Sequence, residues 1–432
     1  MAASRRIRAC RPPVFAVSLR HRGSSFDTVD SLCRQFEPGG FMVKLGVSVY
    51  PEQESAEELA SYLERVAAAG FKKVFTSMFS VDEGADALVE RFGSLAERVH
   101  ALGMELSVDV NPMLFDRIGA AADNLEIFHR MGIDVLRMDM PFFDERNAAL
   151  IENPYGIGIE FNAMMEDLLC RFIPAELMPK VAVCHNFYPQ RFTAESVEAY
   201  CQMNTFWKAR GARVGMFISS RSEGARGPWP VREGLPTVED HRDMPLELQL
   251  RHALLLGDVD EILIGNEPAT DEELVAVGAL MRKLAGEDEP KASDGAASQF
   301  DGIAALFGAG ERTLLHVDLD DDISPIERSI ALDYRRHSDG GDGTAYMLRS
   351  RMTRMSYRGQ AIEPRAWAEP MFHRGDIVVV NDNLAHYRAE LQIVLKDMPN
   401  DGQRNHIGRI APEELFLLDA LGPRVTFLLE EA

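Results

Sequence analysis

What this sequence lacks narrows its class before any motif is read. It holds only five cysteines in 432 residues: Cys10, Cys33, Cys170, Cys184 and Cys201. Their number is odd, their spacing is irregular, and no two form a C-x-x-C pair. That pattern excludes a disulfide framework and a zinc knuckle, and it predicts reduced thiols in a cytoplasmic protein. No apolar run approaches the roughly 20 residues that a membrane-spanning helix needs. Positive charge is scarce, with 46 Lys and Arg against 68 Asp and Glu and a formal net charge of −22. This balance argues against general nucleic-acid or membrane binding, and an anionic ligand would depend on a local group of arginines or backbone N–H groups. H-x-H and H-E-x-x-H spacings are missing as well, so no metal and no cofactor are expected.

What is present begins with length, which predicts two domains. The first 41 residues differ from the rest, carrying seven arginines against three acidic residues, with Pro12, Pro13 and the pair Gly39–Gly40. Val14 to Leu19 is too short and too polar for a signal peptide. Residues 1–42 are therefore expected to be a disordered extension. From Lys44 onward, short β-rich runs alternate with helical stretches. The runs are Lys44–Val49, Lys73–Ser77, Met104–Val110, Val135–Asp139, Gly158–Asn162, Val181–His185, Arg213–Ile218 and Glu261–Ile264. Each is mostly apolar, as strands buried on both faces are. Ser55-Ala56-Glu57-Glu58 is a capping box, and Leu59, Leu63 and Val66 follow at helical spacing. Eight such units predict an α/β fold, a (β/α)₈ TIM barrel over residues 43–286. A doubly wound sheet would show a glycine-rich turn after its first strand, where this chain has Ser48-Val49-Tyr50-Pro51-Glu52. Residues 287–298 have linker composition. Residues 299–432 predict a small β-rich domain, with strands at Leu314–Leu319, Ala345–Arg349, Ile377–Val380, Leu391–Leu395 and Val425–Leu429.

Catalytic residues of such barrels sit at the C-terminal ends of the strands. The polar residues there are Ser48 and Tyr50, Thr76 and Ser77, Asp109 and Asn111, Arg137 and Asp139, Glu160 and Asn162, His185 and Asn186, Ser219 and Ser220, and Asn266 and Glu267. No lysine stands at a strand C-terminus, which disfavours Schiff-base chemistry. Three carboxylates in one mouth, Asp109, Asp139 and Glu160, repel one another and can divide into an acid and an ionised partner, as glycoside cleavage requires. Arg137, two residues from Asp139, predicts an ionised Asp139 in the nucleophile or stabilising role. The apolar approach Gly156-Ile157-Gly158-Ile159 predicts Glu160 as the acid, with Asp109 the next acid to test. Ser48, Tyr50, Thr76, Asn162, His185, Asn186 and Asn266 are expected to orient substrate. The loop after the seventh strand carries Arg221, Arg226, Arg232, His241 and Arg242, of which Arg226, His241 and Arg242 are expected at an anion. Arg349 and Arg351, spaced i and i+2, are expected on one strand face as a phosphate clamp.

Ordered strings along the chain resemble a known family. They are Leu45-Gly46-Val47-Ser48-Val49-Tyr50-Pro51-Glu52, Phe75-Thr76-Ser77, Cys184-His185-Asn186-Phe187-Tyr188-Pro189, Gly234-Leu235-Pro236-Thr237-Val238-Glu239-Asp240-His241-Arg242 and Ile264-Gly265. In the second half Arg349-Ser350-Arg351, Arg374-Gly375-Asp376, Glu390 to Asp397 and Gly408-Arg409-Ile410 match as well. From about residue 43 to its end the chain resembles the bacterial 6-phospho-N-acetylmuramidases. It departs at Asn266, where that family usually has aspartate, and in the stretch Met138-Asp139-Met140-Pro141-Phe142. The resemblance implies a TIM barrel followed by a cyclophilin-like domain. It also implies hydrolysis of a 6-phosphorylated N-acetylmuramyl–N-acetylglucosamine disaccharide in cell-wall recycling. The expected partner is thus a phosphorylated amino-sugar disaccharide, and a homodimer is the one assembly allowed for. Two other readings stay open: a metal-dependent phosphosugar isomerase or lyase, and a non-catalytic ligand-binding protein.

Overall fold

A computed structural model describes residues 43–78, 85–228, 233–286, 312–339, 344–422 and 425–432. The extension 1–42, the linker 287–298 and Arg232 lie outside the described residues.

The chain divides into two compact units. The first holds eight parallel strands closed in sequence order: β1 Lys44–Ser48, β2 Lys73–Ser77, β3 Glu105–Val110, β4 Val135–Met138, β5 Gly158–Asn162, β6 Val181–Cys184, β7 Arg213–Ile218 and β8 Glu261–Ile264. Closure is made by β8 on β1, with Lys44 opposite Glu261 and Val47 opposite Ile264. The helix Ala56–Ala68 shows how a local sequence sets its element. Ser55 accepts the Glu58 N–H, the Glu58 carboxylate accepts the Ser55 N–H, and Leu59, Tyr62, Leu63 and Val66 are buried. Burying each large apolar side chain contributes about 1.5–3 kcal/mol.

Alternation along the strands sends every second side chain into the barrel. The lower interior is an ion-pair layer. Lys73 Nζ stands 2.6 Å from Glu261 and 3.0 Å from Glu160, with all three side chains almost fully buried. Gly46 leaves room for it, because a Cβ there would come within 3.0 Å of the Lys73 carbonyl and of Leu263. Above lies an apolar cluster of Phe75, Cys184, Phe217 and Leu263.

The second unit is built on a seven-stranded sheet in the order β10-β17-β9-β16-β13-β14-β11. Its strands are β9 Arg312–Leu319, β10 His337–Ser338, β11 Met347–Ser350, β13 Asp376–Val380, β14 Leu391–Val394, β16 Arg404–Ile410 and β17 Thr426–Glu431. The short pair β12 Met371–Phe372 and β15 Met398–Pro399 stands apart. The sheet is antiparallel except for β17 on β9, which is parallel. All five expected strands are present. The central β16 escaped the sequence because Arg404-Asn405-His406 is polar and Gly408 interrupts the run. That glycine is required by contact, since a Cβ on it would lie 2.3 Å from the Asp318 carbonyl. No helix among the described residues is long and apolar enough to cross a membrane.

Candidate active site

The site grows upward from Arg137. Strand register sets Asp109 of β3, Arg137 of β4 and Glu160 of β5 side by side. The guanidinium reaches Glu160 at 3.4 Å and Asp109 at 3.5 Å. It also donates to the Asn162 and Asn186 side-chain carbonyls at 2.6 and 2.7 Å. The Phe75 and Phe217 rings lie 5.7 and 5.9 Å from it, so its flat face is covered by aromatic surface. A buried cation is tolerable only when paired in this way. One arginine therefore ties a carboxylate of the interior ion-pair layer, Glu160, to Asp109 and to the two amides above it.

Glu160 differs from its expected role as the acid. It is held between Lys73 at 3.0 Å and Arg137 at 3.4 Å, and its side chain is 3% exposed. It belongs to the interior ion-pair layer. Asp109 is the neighbouring carboxyl on the other side of Arg137. Burial pushes its carboxyl up to about 7; Arg137 lowers it, and Asp139 and Glu160 raise it again. Its Oδ1 is buried without a hydrogen bond. Asp139 follows β4, is half-buried, and receives the Asn162 amide at its carbonyl, 2.8 Å, and more loosely at its carboxylate, 3.4 Å. Asp109 and Asp139 thus share the neighbourhood of Arg137.

Sequence reasoning passed over Glu267 as a site residue, although it lies just beyond the end of β8. It is 1% exposed and accepts the Tyr50 N–H. Burial pushes its carboxyl well above the usual range, and the neighbouring Glu54 adds to the rise. Arg226 pairs with Glu54 at 3.0 Å and approaches Glu267 at 3.9 Å. Arg226, expected at an anion, serves this carboxyl pair. A strand-end glutamate followed by proline was the available signal.

Most of the other expected residues have partners of their own, and two of them, Arg242 and Asn266, also line the cavity described below. His185 lies between barrel and helix Val197–Lys208, bonded to Glu195 at 2.9 Å and Asn204 at 2.7 Å and packed on Tyr200. Thr76 is buried on the helix-facing side of β2, next to inward Phe75, and Ser48 is buried in β1. Tyr50 is fully buried, with its hydroxyl donating to the Gly265 carbonyl. His241 is buried. Arg242 donates to the carbonyls of Tyr188, Gln190 and Glu233 and to the Glu239 carboxylate. Asn266 ties Ser219 and Ser220 to β8. In the second unit Arg349 forks onto buried Glu390 at 2.6 and 3.1 Å. Arg351 lies one residue past the end of β11, so the two arginines do not share a strand.

Beside the loops after β6, β7 and β8 is a cavity of about 180 Å³ lined by Arg191, Arg221, Arg242, Ser220, Ser222 and Asp243, among others. Arg191 pairs with Glu233 and Asp243. Exposed Arg221 gives one guanidinium nitrogen to the Asp243 carbonyl. Among the described residues no group of three or more His, Cys, Asp or Glu converges as a metal cage.

Two family descriptions match the chain: "6-phospho-N-acetylmuramidase, N-terminal" over residues 45–279 and "6-phospho-N-acetylmuramidase, C-terminal" over residues 313–430. A solved structure of an uncharacterised B. cereus protein is 32% identical with a TM-score of 0.73, covering 90% of this chain and 99% of its own. A conserved Enterococcus faecalis protein of unknown function is 22% identical with a TM-score of 0.61, covering 90% of this chain and 96% of its own. The search of curated proteins returned no match.

Proposed function

This chain belongs to the 6-phospho-N-acetylmuramidase family, a family of glycosidase-type enzymes, and from that premise we propose that it hydrolyses a 6-phosphorylated N-acetylmuramyl–N-acetylglucosamine disaccharide. The observation that carries the reading is the arrangement of Asp109 and Asp139 around Arg137. Burial pushes the Asp109 carboxyl up to about 7, against the single cation that faces its Oδ1 at 3.5 Å. Asp139, on the adjacent strand, is half-buried at the mouth. Neighbouring strands stand about 4.8 Å apart, so two such carboxyls flank one glycosidic bond. In this reading Asp109 gives its proton to the leaving oxygen as the C–O bond breaks. The Asp139 carboxylate faces the positive charge that develops at the anomeric carbon, and water supplies the new hydroxyl and restores the proton. Asn162 and Asn186, both held by Arg137, orient sugar hydroxyls or the N-acetyl group. Arg221 and the serines of the neighbouring cavity suit the 6-phosphate. Cell-wall recycling in the cytoplasm follows from this substrate, and a cyclophilin-like ligand-binding role for the second domain stays within the proposal.

The test is a product assay on the phosphorylated disaccharide and its unphosphorylated form. Release of both monosaccharides from the phosphorylated form, with at most traces from the other, is expected. Equal turnover of the two would remove the phosphate from the proposal, and no turnover of either would end it.

A further inference from the structure

Eight large apolar side chains are conspicuously exposed among the described residues, and five of them lie in the segments that follow β3 to β6: Met113, Met140, Phe143, Met164 and Phe192. Apolar side chains in water are ordinary when scattered, so the concentration at the catalytic end of the barrel is the informative part. Two of the five are tied to the site. Phe143 is 54% exposed and four residues beyond Asp139. Its loop is firmly held. Fully buried Asn147 accepts the Phe142 N–H at 3.0 Å and donates to the Phe142 carbonyl at 2.6 Å. Phe142 also packs edge-on against Phe115 with ring centres 5.5 Å apart. Met164 is 52% exposed and two residues beyond Asn162. Trp207 donates to the preceding carbonyl, that of Ala163, at 2.9 Å. The Met164 sulfur accepts from Asn186 at 3.3 Å, and Asn186 in turn accepts from Arg137. The rim is thus rigidly presented and joined through one amide to the arginine that organises the carboxyls.

We propose that Phe143 and Met164, with Met140 from the same loop as Phe143, form a stacking platform for the leaving-group sugar of the substrate. The inference rests on the disaccharide reading above. In a closed eight-stranded barrel β4 and β5 stand across from β8 and β1. The cavity with Arg221 belongs to the β6, β7 and β8 loops, so the phosphorylated ring lies toward that side. The second ring then extends over the loops after β4 and β5. Amino-sugar rings present C–H faces without charge, which an aromatic face and a thioether cover while hydroxyls stay wet. The three side chains are themselves uncharged, and the nearby Arg146 is paired with Asp144 at 2.9 Å, which fits the ring that carries no phosphate.

The experiment compares two substrates in Phe143→Ala, Met164→Ala and the double variant: the phosphorylated disaccharide and the methyl glycoside of 6-phospho-N-acetylmuramic acid, which has no second ring. Both side chains are exposed, so folding is kept, and a melting curve checks it. The expected result is a loss of about tenfold in kcat/KM on the disaccharide, the order that one apolar contact commands, with the methyl glycoside within twofold of wild type in Phe143→Ala, the variant that touches no residue of the site. Phe143→Tyr should recover the disaccharide. Equal losses on both substrates, or none on either, would overturn the platform. Wild-type enzyme that cleaves neither would instead overturn the activity itself.

Discussion

Asp109 and Glu160 are both carboxylates beside Arg137, yet their surroundings give them different work. Asp109 has one cation, at 3.5 Å from its Oδ1, whereas Glu160 has two cations, at 3.0 and 3.4 Å, and no exposed surface to speak of. If protonated Asp109 is the acid, kcat/KM should fall as pH rises through about 7. Asp109→Asn and Asp139→Asn should each cut turnover by orders of magnitude while substrate still binds, and Asp109→Asn should also lose the alkaline limb. Retention of more than about a tenth of turnover, a loss under roughly 1.4 kcal/mol, would show that the residue is not in the pair. Stability follows the same proton. The folded carboxyl holds it up to about pH 7, whereas the unfolded one releases it near its usual value of about 3.9. Native Asp109 therefore costs stability progressively as pH rises across that window and no further above it. Denaturation at pH 5 and pH 8 should show Asp109→Asn gaining on wild type at the higher pH. A gain confined to pH 5 would reverse the sign and refute the assignment.

At the scale of elements, the loop after β7 illustrates how arginines of one loop divide in purpose. Arg242 is buried and serves three carbonyls and Glu239, which it holds near a pKa of about 2. Arg221 is exposed on the cavity. Arg242→Ala leaves those acceptors unpaired, so it should lower stability by about 3 kcal/mol, read as an earlier denaturation midpoint. Arg221→Ala should leave the midpoint unchanged and raise KM for the phosphorylated disaccharide. If the two variants exchanged phenotypes, the loop would have to be read the other way round.

For the whole molecule, the charge of −22 sits uneasily with an anionic substrate unless binding is local. Removing residues 1–41, so that the chain starts at Met42, should keep the melting temperature and turnover. A drop in either would make the extension part of the folded protein. Turnover should likewise survive a chelator, since loss that is restored by divalent cation would favour the metal-dependent reading instead.

The sequence by itself determined the strands and their ends. The eight barrel strands were legible because each is a short, mostly apolar run that alternates with a helical stretch, and the residues at their tips were legible because a barrel exposes those tips. Asp109, Asp139, Asn162 and Asn186 were placed at those tips on that ground. Period-two alternation also held information that went unused: inward Cys184 makes His185 point to the helices and Asn186 to the mouth. Other facts belonged to the tertiary structure alone. Lys73 reaches Glu160 only because β2 and β5 face into one closed interior, 87 residues apart in the chain. Glu390 claims Arg349 because β11 and β14 pair antiparallel. A residue's type states which charge it can carry, but the neighbours that stabilise or unsettle that charge arrive from distant strands, and only closure of the barrel brings them within a few ångströms.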